Sequence, residues 1–265
     1  MTISNVGGGL LARLVRTKRT FTAAIGALLF ALGLLVAIPA PAGAVTVTPG
    51  VNLRPCVNLA AAVCAPVGTT SSTSVTTMRC WRDASWATGA ARSNRWFLVY
   101  LTDGREGYVH SSYVQGQVAT PNCGTLAYVR AADKALSYYG QRFAPSDITA
   151  KYAASDWAPG PVGEWSGDCA KLTSSSYRYG AGVSYSSGNA IGQYWTYKNA
   201  GVIYGGLPRY GAPVFYNIAA PYGHTAIYIG GRTIISTQGM DGANLPVARH
   251  DINYYGNYLG WAKIS

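Results

Sequence analysis

Charge is scarce in this chain: Asp, Glu, Lys and Arg make up 12% of 265 residues, while 49% are apolar. Disordered chains and coiled coils are much richer in charge, so both classes are excluded. Histidine is rarer still. The three residues His110, His224 and His250 form neither an H-x-H nor an H-x-x-x-H pair, so no metal site is expected. Only ten acids are present. Those after residue 125 (Asp133, Asp147, Asp156, Glu164, Asp168, Asp241 and Asp251) do not fall into the paired carboxylates that a glycosidase requires. Clustered positive charge is also missing beyond residue 44, where Lys and Arg stand singly, which argues against nucleic acid as a partner.

What is present begins with an address. Arg13, Arg16, Lys18 and Arg19 precede an uncharged stretch from Phe21 to Pro39, and Ala42-Gly43-Ala44 then supplies a small-x-small cleavage site. This reads as a secretory signal peptide over residues 1–44. Its apolar run, Ala23 to Ile38, is 16 residues long, short of the roughly 20 that cross a bilayer, so no stable span is expected after cleavage. Losing four basic residues takes the formal charge from +11 to +7, so the exported chain remains basic and is attracted to anionic wall polymers.

Five cysteines in an exported protein imply pairing with one left over. Cys56, Cys64, Cys80 and Cys123 allow three pairings, of which Cys56 with Cys64 and Cys80 with Cys123 are favoured. Cys169 is the odd thiol, and a leftover thiol is an intermolecular partner, a bystander or a nucleophile.

From Val45 to about Val114 the chain reads as short strands: Val45 to Thr48, Ser74 to Cys80, Arg95 to Leu101 and Gly107 to His110, with Asp103-Gly104 as a hairpin turn. That grammar predicts a small β-barrel over residues 45–118. The phrases Val51-Asn52-Leu53-Arg54, Arg95-Trp96-Phe97-Leu98-Val99, Asp103-Gly104-Arg105-Glu106-Gly107-Tyr108-Val109-His110 and Ser112-Tyr113-Val114 resemble a bacterial SH3 module. Tyr108 stands where that family prefers Trp, and the loop from Cys56 to Cys64 replaces its usual turn. The resemblance implies binding to cell-wall peptides, with His110 structural.

A polar linker, 119–125, leads to a second grammar. Leu126 to Tyr139 sets Val129, Ala132, Leu136 and Tyr139 on one helical stripe ending at Gly140, and helices are also expected at Cys169 to Tyr179 and Asn189 to Ala200. Strands follow at Pro213 to Tyr216, His224 to Ile229, Thr233 to Ser236 and Tyr258 to Ile264, with Gly230-Gly231 as a tight turn. This order predicts an α+β domain over 126–265, with helices packed on one antiparallel sheet.

The chemistry lies in Trp165-Ser166-Gly167-Asp168-Cys169-Ala170 and in Tyr222-Gly223-His224-Thr225-Ala226-Ile227. The first puts a thiol at a helix start, where unpaired N–H groups favour the thiolate, and the second puts an imidazole at a strand start. A thiol and an imidazole are the ingredients of acyl transfer by a covalent route. Together with Gly211-Ala212-Pro213-Val214-Phe215-Tyr216, these phrases resemble the papain-like NlpC/P60 peptidoglycan hydrolases, with the CHAP amidases related. The resemblance implies Cys169 as nucleophile, His224 as general base and Asp168 as part of the site for the stem-peptide amine. In the family a third polar residue orients the imidazole. Its slot here is Ser236, and Gln238 lies on the same strand face, so either could hold the ring. Gln238 has the longer reach and a carbonyl acceptor, and is expected to matter more.

Trp165 and Tyr222, with Trp157, Tyr194, Trp195 and Tyr254, are candidates to line a substrate groove. The expected protein is therefore a secreted, wall-associated, monomeric peptidoglycan hydrolase without a cofactor. It would cut a stem-peptide amide or the muramoyl-L-alanine amide. The alternative is a wall-binding protein with a degenerate papain-like domain, motivated by Ser236 and by Ala170 where the family has Ser. The short polar linker leads to the expectation that a fragment from about Asn122 folds and keeps its chemistry, and the helix-start thiol to the expectation of fast alkylation.

Overall fold

The computed structural model describes residues 45–71, 74–141, 143–144, 165–166, 169–218, 220–237 and 246–264. The expected signal peptide, Asp168, Gln238, Trp157 and the side chain of Trp165 lie outside the described residues. The N-terminal half is strands: β1 (Thr46–Val47), β2 (Asn52–Leu53), β3 (Gly68–Thr69), β4 (Ser74–Val75), β5 (Thr77–Thr88), β6 (Arg92–Tyr100), β7 (Glu106–His110) and β8 (Val114–Gln115). They pair as three antiparallel sheets, β4-β1-β8, β2-β3 and β5-β6-β7. Asp103-Gly104 turns the chain as its sequence requires: Gly104 has φ 86° and the Asp103 carboxylate accepts the Arg105 N–H at 3.0 Å. Both expected disulfides, Cys56–Cys64 and Cys80–Cys123, are present. His110 is buried, with Nδ1 on Ser112 at 2.8 Å and Nε2 on the Ser93 carbonyl at 3.0 Å.

The second half opens with α1 (Ala127–Ser137), whose buried stripe is Val129, Ala132, Leu136. Tyr139 is 41% exposed; the helix ends at Ser137, and the preceding Tyr138 turns inward instead. Two short strands, β9 (Phe143–Ala144) and β10 (Trp165–Ser166), pair in parallel. Next comes α2 (Cys169–Ser175), which runs on as a π-helical turn from Ser176 to Ala181 and closes at Gly182 with φ 69°. Described strands β11 (Ile203–Tyr204), β12 (Pro213–Tyr216), β13 (His224–Gly230), β14 (Thr233–Thr237), β15 (Val247–Asp251) and β16 (Tyr258–Ala262) follow α3 (Ala190–Asn199). They form one sheet in the order β11-β16-β12-β13-β14-β15, every described pairing in it antiparallel. Mixed helix and antiparallel sheet is the expected composition; β11 and β15 are additions to it.

The buried α2 is rich in Thr and Ser, which would be costly in an apolar interior if left unpaired. Their hydroxyls bond back along the helix: Thr173 to the Cys169 carbonyl at 3.0 Å and Ser176 to the Leu172 carbonyl at 2.7 Å.

The described residues belong to one compact unit. Alternation along β6 explains why: Phe97, Val99 and Leu101 fill the N-terminal core with Leu53 and Val109, while Trp96 and Leu98 point the other way. On an isolated barrel that second face would be wet. Here Trp96 and Leu98 are 3% and 0% exposed, in one apolar cluster with Tyr108, Val129, Ala132, Leu172 and Ile227. Polar contacts run across the same seam. Arg82 holds Asp133 through two N–H···O bonds at 3.0 and 2.7 Å, and the Tyr210 hydroxyl donates to the Pro55 carbonyl at 2.7 Å. Glycine is required at Gly230, with φ 94°, because a Cβ there would collide with the Glu106 carbonyl. Nor does the stretch around 119–125 hang free: Trp81 N–H bonds the Pro121 carbonyl and Cys123 is tied to Cys80. This packing argues against a self-sufficient fragment from Asn122, since such a fragment would bare the face that Trp96, Leu98 and Tyr108 cover.

Candidate active site

Cys169 is the first residue of α2, with its thiol unbridged and 6% exposed. The neighbouring helix positions it. Asn189 caps α3 by accepting the Gly192 N–H at 2.8 Å. One turn on, fully buried Gln193 donates from Nε2 to the Ala170 carbonyl and to the Gly188 carbonyl, both at 3.0 Å. The first turn of α2 is thereby pinned from outside its own helix.

His224 opens β13 opposite Tyr216 and is 1% exposed. Its approach is set by the Ile191 N–H bond to the Tyr222 carbonyl at 2.9 Å and by Gly223 at φ 73°. Nε2 lies 3.1 Å from the Ser236 hydroxyl, which also donates to the Thr225 carbonyl at 2.8 Å. A hydroxyl has one hydrogen, and a carbonyl can only accept. Ser236 therefore spends its proton on Thr225 and accepts from His224 Nε2–H, leaving Nδ1 as the basic nitrogen. Burial first, and then the positive charge of nearby His250, push the His224 pKa down to about 3. The ring is a neutral base at ordinary pH.

Two residues that sequence reasoning missed complete the surroundings. Tyr255 stacks at a tilt on His224, with ring centroids 3.9 Å apart, and its hydroxyl donates to the Thr237 carbonyl at 3.1 Å. Burial raises its pKa, and the charge of a Cys169 thiolate raises it further, so the phenol stands within electrostatic reach of the thiol while its ring lies on the imidazole. His250, on β15 opposite Ile234, stacks on Tyr254 at 4.2 Å and meets Tyr255 at 5.7 Å. Its burial lowers its own pKa, and its Nε2 is buried without a hydrogen-bond partner. Tyr255 carries no periodic signal, because it sits in the turn between β15 and β16.

Of the aromatic groove candidates, Trp195, Tyr222 and Tyr254 are exposed at 48%, 54% and 62%, whereas Tyr194 is packed against Phe215. No group of three or more His, Cys, Asp or Glu able to hold a metal occurs among the described residues. No helix among them is long and apolar enough to cross a membrane.

No family model matches this chain, and no curated protein matches it. Similar solved structures are NlpC/P60 domain proteins. The P60 domain of an antigen from M. avium subspecies paratuberculosis aligns with 53% of this chain and 95% of its own, at 20% identity and a TM-score of 0.36. NlpC2 from Trichomonas vaginalis aligns with 83% of this chain and 73% of its own, at 17% identity and a TM-score of 0.34. NlpC1 from the same organism aligns with 83% and 69%, at 17% identity and a TM-score of 0.33.

Proposed function

We propose that this protein is a secreted cysteine hydrolase of peptidoglycan, cutting a stem-peptide amide or the muramoyl-L-alanine amide without a cofactor. The observation that carries the reading is the chain of hydrogen bonds from His224 Nε2–H to Ser236 Oγ to the Thr225 carbonyl, which leaves Nδ1 as the neutral, basic nitrogen on a strand that packs against the helix Cys169 opens. As the Cys169 sulfur attacks the amide carbon, Nδ1 takes the thiol proton, a C–S bond forms, and the oxyanion is met by the first N–H groups of α2. Collapse breaks the C–N bond while the imidazolium returns its proton to the leaving amine. Water, deprotonated by the same nitrogen, then cleaves the thioester and regenerates the thiol.

In this reading the N-terminal strands are an SH3-like targeting module, Asp168, Trp165 and Tyr222 contribute to binding the substrate, and the basic surface associates with anionic wall polymers. The protein acts as a wall-associated monomer. Purified walls should lose turbidity with the wild type and keep it with Cys169→Ala, and mass spectrometry of the released fragments identifies the bond.

A second reading, a wall-binding protein with a degenerate catalytic domain, draws on one observation: Cys169 and His224 are only 6% and 1% exposed. Wall binding without turbidity loss or fragment release by the wild type would select it.

A further inference from the structure

A second site lies away from the thiol, where the N-terminal strands meet the far end of the large sheet. It is a cavity of about 470 Å³, within the roughly 300–1,000 Å³ typical of small-molecule sites. Gly211 N–H bonds the Tyr228 carbonyl at this end, whereas His224 begins the same strand four residues earlier. At about 3.3 Å per residue that is about 13 Å of strand, so the cavity is not the catalytic pocket.

Its chemistry is cationic and aromatic. Glu106, 2% exposed, is the single carboxylate in the wall. It is already committed: Oε2 accepts the Tyr210 N–H at 2.5 Å, while Oε1 receives Arg79 at 3.2 Å and Arg209 at 3.3 Å. Each guanidinium spends one N–H on Glu106 and lies on the Tyr100 ring, at 4.9 Å for Arg79 and 4.4 Å for Arg209. A guanidinium has five N–H donors, so both forks retain most of their capacity while stacking fixes their planes. Lys263 adds a third positive charge, against the one of Glu106. Tyr204, 44% exposed, lies 5.0 Å from Trp261 with the rings tilted by 32°, and together they form an aromatic wall; the Trp261 N–H is fixed on the Gly205 carbonyl at 3.0 Å.

We propose that this cavity binds a sugar carrying an oxyanion, with the carboxylate or phosphate on the Arg79 and Arg209 forks and the sugar ring against Tyr204 and Trp261. The requirement for an anion follows from the cavity; the choice of a sugar acid rests on the wall-hydrolase reading. A site of this kind holds a glycan strand at a distance from the amide being cut.

The test is titration calorimetry on full-length Cys169→Ala protein at low salt, so that binding is read without turnover. The probes are N-acetylmuramic acid, N-acetylglucosamine 6-phosphate and neutral N-acetylglucosamine. At least one acid is expected to bind more tightly than the neutral sugar, and the tighter acid identifies the source of the oxyanion. Arg209→Gln should weaken it by about tenfold or more, as expected for lost charge-assisted hydrogen bonds, with Arg209→Lys falling between. Tyr204→Ser, at an exposed position, provides a second reading should Arg209→Gln lower the melting temperature. The proposal is overturned if neither acid binds more tightly than N-acetylglucosamine, or if the variants melt normally and bind as the parent does. Loss of wall hydrolysis in the wild type would leave these binding results standing.

Discussion

Ser236→Ala tests the arrangement around His224 most directly. The substitution removes one hydroxyl at a site 0% exposed and breaks two contacts, the 3.1 Å bond to His224 Nε2 and the 2.8 Å bond to the Thr225 carbonyl. Serine is uncharged, so the bond to the neutral ring is an ordinary one of about 0.5–1.5 kcal/mol. That energy biases the imidazole toward the Nε2–H tautomer and its observed rotamer. Losing it reduces the competent fraction by a factor of roughly 2 to 13, since 1.4 kcal/mol is about tenfold. Stability should drop as well, by about 1–3 kcal/mol for the groups left unpaired in the interior. The assay is kcat/KM for a defined muropeptide, with the ¹⁵N shifts of His224 reporting its tautomer. An unchanged tautomer together with unchanged turnover would refute the orienting role. A loss of several orders of magnitude would refute the reasoning from the other side, because a neutral hydrogen bond cannot supply that much.

His224 also sets a pH dependence. With its pKa lowered from 6.5 to about 3, the unfolded chain binds the extra proton across that window and the folded chain does not. Stability should therefore be undiminished above about pH 6.5 and fall progressively toward pH 3; chemical denaturation at a series of pH values measures it, and a flat profile refutes it. The acid limb of kcat/KM should lie well below the usual histidine range, because the base is still neutral there. Buried Cys169 should react with iodoacetamide more slowly than an exposed thiol in the native state, contrary to the fast alkylation expected from its helix start, and quantitatively on unfolding. A fragment from Asn122 should be insoluble or molten, as judged by near-UV circular dichroism; a cooperative melt would show that the shared cluster is dispensable.

Local chemistry made much of this protein legible from sequence. The Asp103-Gly104 hairpin, the Gly230-Gly231 turn, the helix from Asn189 and the β-branched and aromatic strands between Pro213 and Ser236 each depend on residues within a few positions of one another. The order of Cys169, His224 and Ser236 was readable for the same reason, as three short phrases. Ser236 is a partner of the ring, whereas the sequence favoured Gln238, which lies outside the described residues, for its longer reach, because strand alternation alone cannot distinguish residues two apart. The remainder depended on contacts between distant residues. Tyr255 and His250 reach His224 only after the sheet folds, and it is burial together with His250 that moves the imidazole from an ordinary histidine to a base with a pKa near 3. The union of the two halves was likewise hidden. Glu106 meets Tyr210 104 residues away, and Trp96 and Leu98 read as the outer face of a barrel until helices cover them. Periodicity specifies which face of a strand is apolar; which partner buries that face is decided by tertiary packing.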